Sequence, residues 1–198
     1  MIEITTESLK PILAELRTDG LVAFSLACAE RCRHAWDRKI MPQEIGMVRV
    51  SIAELNELME RLWENIDVWN EETKLWEIGY ERCGAMLPNY DAGDEATLRV
   101  RILEDSILTV MHAIRCTTDP VTREATAVAS TARSCVYEWY TRDIAPTVWG
   151  PMQFSEADVN IVTVEIAAQL RDATELAAGI TNWTKLRGRA KGEAHRFV

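Results

Sequence analysis

The period of the apolar residues constrains this chain more than any other feature. They return every three or four positions, the spacing of one face of a helix, and strand-like alternation is confined to residues 47–52. Leu9, Ile12, Leu13 and Leu16 mark a first short helix, with Ser8 as its N-cap and Pro11 in its first turn. After Gly20, a second face runs through Leu21, Phe24, Cys28, Cys32 and Ala35. Ser51 and Glu54 form a capping box for a third helix, whose stripe is Ile52, Leu55, Met59, Leu62, Ile66 and Trp69. A fourth covers 72–87 and stops at Pro88. Leu103, Ile107, Val110 and Ile114 define a fifth; Ala125, Val128, Ala132, Cys135 and Trp139 define a sixth, rich in small residues that permit close helix approach. A last helix, capped by Ser155, carries Val159, Val162, Ile166, Leu170, Ala173, Ala177 and Ile180. The expectation is an all-α, single-domain bundle of about seven helices over residues 1–184. Residues 185–198 hold Lys185, Arg187, Arg189, Lys191 and Arg196 against Glu193 alone, with two glycines. They are expected to form a basic, flexible C-terminal tail, or an arm that folds back on an acidic body.

A chain of 198 residues that is 47% hydrophobic can bury a full core without disulfide staples. Five cysteines cannot all pair internally, and their spacings are not those of a secreted framework. The start, MIEITTESLKPIL, has no basic region ahead of an apolar run, and no apolar stretch reaches the ~18 residues of a membrane span. These features predict a cytoplasmic protein with no membrane partner. The net charge of −9 disfavours a nucleic-acid surface.

Tests for chemistry yield little. Cys28, Cys32 and His34 have metal-ligand atom types, but helical pitch turns His34 away from a cysteine pair that sits on a core stripe. No C-x2-C pair, H-E-x-x-H, Walker loop or G-x-S-x-G occurs, so no dedicated metal or cofactor is expected. His112 lies one turn before Cys116, a spacing that permits thiolate activation, but no orienting acid is evident in sequence. Trp63, Trp69 and Trp76 cluster on the third and fourth helices and suit core packing. A ligand pocket lined by Trp63, Trp76 or Trp139 is an alternative, and Trp149, in a Pro/Gly loop, can anchor a partner or a second copy in a homodimer.

The unusual segment is 52–72, with seven acidic residues and one basic. Glu57, Glu60, Glu64, Asp67 and Glu71 follow one another at helical spacing, and Glu57 lies ~200° around from Leu55, so the row faces away from the core stripe. Arg61, one turn after Glu57, neutralises part of it. A row of carboxylates on a rigid rod is either a solvated face or a docking surface that steers a cationic protein.

Four stretches resemble the bacterial helical family labelled domain of unknown function 416: LVAFSLACAERC (21–32), ELMERLWENI (57–66), ATAVASTARSCVYEW (125–139) and VTVEIAAQLRDATELAAGI (162–180). Their order and approximate spacing fit over residues 9–183. The resemblance implies an all-helical cytoplasmic fold and supplies no catalytic residues. In type, a small, acidic, helical chain without a catalytic site is also similar to immunity proteins that neutralise bacterial toxins. The function expected is a non-catalytic interaction module, an immunity protein that occludes a basic toxin through Glu57, Glu60, Glu64, Asp67 and Glu71; the alternative is a small-ligand-binding or regulatory bundle.

Overall fold

The computed structural model describes residues 6–33, 52–71, 73–87, 98–141 and 156–194. Among them are eight α-helices and no strand: α1 (Thr6–Glu15), α2 (Thr18–Cys32), α3 (Ile52–Glu64), α4 (Thr73–Met86), α5 (Leu98–Thr118), α6 (Thr122–Thr141), α7 (Glu156–Ala177) and α8 (Trp183–Ala194). The all-α bundle expected from the apolar period is the fold observed. The Ser51 and Ser155 caps, residues 47–51 of the 47–52 segment, Trp36, Trp149, His34 and His195 lie outside the described residues.

Helix α2 organises the bundle. GLVAFSLACAERC is apolar on nearly every side, and a helix with no polar stripe must be enclosed. Every residue from Gly20 to Cys32 is buried, and α2 is packed by α3, α5, α6, α7 and α8. Its two faces serve two clusters. Val22, Ala23 and Leu26 meet Leu55, Met59 and Leu62 of α3, Trp76 of α4, and Ile107, Val110 and Ile114 of α5. Leu21, Phe24, Cys28 and Cys32 meet Leu9 and Leu13 of α1 and the small-residue face Ala125, Val128, Ala129 and Ala132 of α6. The small side chains of α6 leave its backbone accessible there, and Cys32 Sγ lies 3.7 Å from the Ala132 carbonyl.

Three boundaries depart from expectation. Ser8 and Pro11 lie inside α1, which begins at Thr6. Helix α3 ends at Glu64, not at Trp69: Asn65 Nδ2 donates to the Arg61 carbonyl, taking a helix-end acceptor, and the chain continues in turns closed by Val68 N to Asn65 O and Glu71 N to Val68 O. Those turns carry Ile66 into the core and place the Trp69 carbonyl where Trp76 Nε1 donates to it at 2.6 Å. Helix α7 stops at Ala177 rather than running on through Ile180. Gly179, at φ 81°, takes the left-handed position of a Schellman stop, with Gly179 N bonded to Leu176 O and Ile180 N to Glu175 O.

The largest correction concerns the C-terminus. Residues 185–194, expected within a flexible tail, belong to helix α8, which is docked on the bundle with Leu186 and Ala190 buried beside α2. The arm folds back on the acidic body.

Candidate functional site

The acidic row starts from the stripe geometry of α3. Leu55, Met59 and Leu62 point into the core, so Glu57 and Glu64 project to solvent on the opposite side. Glu57 is held by Arg61 at 2.7 Å, the one-turn pair expected from spacing. Glu64 and Glu71 are exposed and make no ion pair with a described residue.

The structure does not keep the row as one surface. Asp67 and Glu71 sit beyond the end of α3, in the turns after Glu64, so helical spacing no longer relates them to Glu57. Besides Glu57, two more members are engaged within the chain, by residues outside α3. Glu60 is paired with Arg33 at 2.7 Å, with Lys191 at 3.4 Å and with Arg187. Burial acts to raise the Glu60 carboxyl, but hydrogen bonds from Arg187 and Arg33 and the nearby Lys191 charge outweigh it and hold the group at about 2. Asp67 Oδ1 accepts a hydrogen bond from Trp183 Nε1 at 2.7 Å. The Arg187 guanidinium also lies over the Trp63 ring, 5.8 Å from its centroid. Half of this contact is supplied by α8, through Trp183, Arg187 and Lys191 at i, i+4 and i+8.

A second cluster was missed by sequence reasoning altogether. Arg31 lies in the middle of α2 with no exposed surface, and a buried guanidinium must be paired. Its Nε donates to both Glu165 oxygens at 3.0 Å, its Nη1 to Asp172 at 2.5 Å and its Nη2 to Cys28 Sγ at 3.3 Å. Asp172 also accepts from Arg189 at 2.7 Å and Arg171 at 3.0 Å. Arg171 reaches Glu193 at 2.7 Å, and Arg189 reaches Glu175 at 2.8 Å. Gln169 Nε2 donates to Glu165 Oε1 at 2.9 Å and to the Ala129 carbonyl at 3.0 Å. Burial opposes the charge on Arg31, but the Glu165 carboxylate, with Cys28 and Asp172 around it, holds the guanidinium firmly charged. Burial dominates at Glu165 and pushes its carboxyl up despite the opposing pull of Arg31 and Gln169. The sequence did carry a signal. Glu165, Gln169 and Asp172 repeat at i, i+4 and i+7 beside the apolar Ile166 and Ala173, and Glu30-Arg31 interrupts an otherwise apolar helix. Glu30 is likewise buried: it accepts from Trp63 Nε1 at 2.8 Å and pairs with Arg33 at 3.0 Å.

The nucleophile and metal readings meet this geometry poorly. The acid that sequence could not find beside His112 exists: Glu124 Oε2 lies 3.4 Å from His112 Nδ1. Glu124, however, is shared with Arg123 at 3.1 Å and Arg115 at 3.8 Å, and Cys116 has no exposed surface. Burial, chiefly, pushes the Cys116 thiol up to about 11, far from a thiolate at neutral pH. Cys83 is raised to about 12 by burial. Burial also raises Cys28, and a hydrogen bond with Cys135 together with burial raises Cys32. Among the described residues no group of three His, Cys, Asp or Glu side chains is placed to hold a metal ion. Trp63 and Trp76 are buried core residues, not pocket walls. A cleft of about 150 Å³ opens instead between α3 and α4, over Leu58, Leu75, Ile78 and Gly79, with Glu57 and Arg61 on its rim.

No family model, no curated protein and no solved structure matches this chain. Among the described residues no helix is long and apolar enough to cross a membrane.

Proposed function

We propose that this chain is a non-catalytic interaction module, most concretely a cytoplasmic immunity protein that binds a basic bacterial toxin and occludes it through the acidic surface on and after α3. One observation carries the reading: the acidic surface on and after α3 already accepts guanidinium and ammonium donors at Glu60 and an indole donor at Asp67, all from the chain's own basic helix. Outside that contact Glu57, Glu64 and Glu71 stand exposed, available to attract a cationic protein in solution. The Cys116 thiol, buried and pushed up to about 11, favours binding over turnover.

The test is association kinetics against a panel of purified basic bacterial nuclease toxins, at about 0.05 M and about 0.3 M salt, where screening differs severalfold. One toxin is expected to bind with an on-rate that falls as salt rises, and Glu57→Gln/Glu64→Gln/Glu71→Gln is expected to slow association with little change in dissociation. Identical on-rates for this variant and the parent would remove the acidic surface from the mechanism. Among the described residues, the α3–α4 cleft offered to the ligand-binding alternative has a volume about half the lower limit usual for small-molecule sites.

A further inference from the structure

Helix α8 is an unusual element to find docked. Gly188 and Gly192 stand inside it, and a Cβ built at either would meet nothing within 4 Å, so close packing does not require them. Each weakens the helix relative to alanine. Its buried apolar contribution is limited to Leu186 and Ala190, with Trp183 partly covered. What holds α8 is polar. Trp183, Arg187 and Lys191 lie along one stripe and engage Asp67, Glu60 and the Trp63 ring. On its other side Arg189 engages Asp172 and Glu175, and Glu193 accepts Arg171. The segment joining it to α7 contains the left-handed Gly179, where the chain reverses away from α7.

A helix with weak internal propensity, few apolar anchors and many ion pairs undocks at lower cost than the rest of a bundle, and more readily as salt rises. Its stripe also has the chemistry of the partner inferred above: two cations and an indole presented to carboxylates. We propose that α8 is an autoinhibitory strap, which occupies Glu60 and Asp67 and yields them when a cationic helical segment of the partner docks. The proposal rests on the functional reading for the partner's identity but not for the strap itself. It divides the acidic residues into two sets. Glu57, Glu64 and Glu71 are available at first encounter, and Glu60 and Asp67 are released only on opening. A strap open for a fraction f of the time weakens the apparent affinity by that fraction, so loosening it tightens binding.

The probe is a synthetic peptide of residues 181–198, used against the full-length chain. In Arg187→Glu/Lys191→Glu, hydrogen exchange in 183–194 is expected to quicken while α2 and α5 stay protected, and the labelled peptide is expected to bind at least about tenfold more tightly than to the parent. Adding Glu60→Arg to that background should abolish the gain. Gly188→Ala/Gly192→Ala should act in reverse, slowing exchange and weakening peptide binding. Equal peptide affinity for parent and loosened chain, or exchange in 183–194 that rises only with global unfolding, overturns the strap. If the double reversal fails to fold, saturating peptide added to the parent chain decides instead: exchange in 183–194 must rise with dose, and a flat response overturns the proposal. None of these readouts needs the toxin, so the strap can fail while the acidic surface stands, and the reverse.

Discussion

Replacing Arg31 by methionine removes the only buried cation on α2 and leaves its side-chain volume roughly filled. Asp172 keeps Arg171 and Arg189 at 3.0 and 2.7 Å. Glu165 fares differently: Gln169 still donates to it at 2.9 Å and the half-buried Arg133 stays within electrostatic reach, but both of its bonds from Arg31 are lost inside a site with no exposed surface. Breaking a buried pair from one side typically costs about 3–5 kcal/mol, because the surviving charge is uncompensated. Glu165 answers by holding its proton. Burial already raises this carboxyl in the parent protein, and loss of Arg31 raises it further. The sign follows. A carboxyl whose folded value lies above its unfolded value of about 4.3 contributes most to stability below that value and loses the contribution as pH rises through the folded one. Arg31→Met should therefore be worst at neutral pH and recover on mild acidification, by at most about 1.4 kcal/mol per pH unit for one proton. Urea unfolding at pH 7 and pH 5, followed by far-UV circular dichroism, measures both quantities. A second substitution, Glu165→Leu, should restore most of the loss, since replacing the whole pair with apolar groups is often neutral. A loss below about 1 kcal/mol at pH 7, or a loss that does not shrink at pH 5, would refute the claim that Glu165 depends on Arg31.

Further outcomes are open to direct measurement. The Glu60 carboxyl, faced by Arg33 at the C-cap of α2 and by Arg187 and Lys191 of α8, is held at about 2. Its folded value lies below the unfolded one, so its contribution is complete above about pH 4.3 and is lost as pH falls through the folded value. Hydrogen exchange in 183–194 should accordingly quicken between about pH 4 and pH 2 before the core opens, and a parallel loss of protection in α5 would contradict it. Gly188→Ala and Gly192→Ala, where an added Cβ meets open space, should each stabilise α8 by about 0.5–1 kcal/mol, read as slower local exchange. The five cysteines are free and buried, so the native protein should take up almost no aromatic disulfide reagent at pH 7.5 and react fully once unfolded. Rapid native labelling of Cys116 would revive the catalytic alternative.

The helices themselves were legible in the sequence because helical pitch is local information. Leu55, Met59 and Leu62, or Ala125, Val128 and Ala132, declare a buried face to anyone counting at three and four, and the structure buries those residues. The outward direction of Glu57 and Glu64 and the Glu57–Arg61 pair followed from the same count. Distances along the chain mark where that information ends. Glu165 and Asp172 reach Arg31 across 134 and 141 residues, and Arg187 reaches Glu60 across 127. No local rule states which helices become neighbours, so although the spacing of Glu165, Gln169 and Asp172 marks a polar stripe, neither its pairing with Arg31 nor the occupation of Glu60 and Asp67 follows from it. Helix α8 is the sharpest instance. Two glycines and five cations in its neighbourhood argue for a loose tail when 185–198 are taken alone. Carboxylates from α3 and α7, brought together only by the folded bundle, pair with Arg187, Arg189 and Lys191 and hold the segment as a docked helix. Helical pitch settles which faces are greasy, whereas which charges meet rests on the packed bundle, because pairing depends on separations in space that the apolar period does not encode.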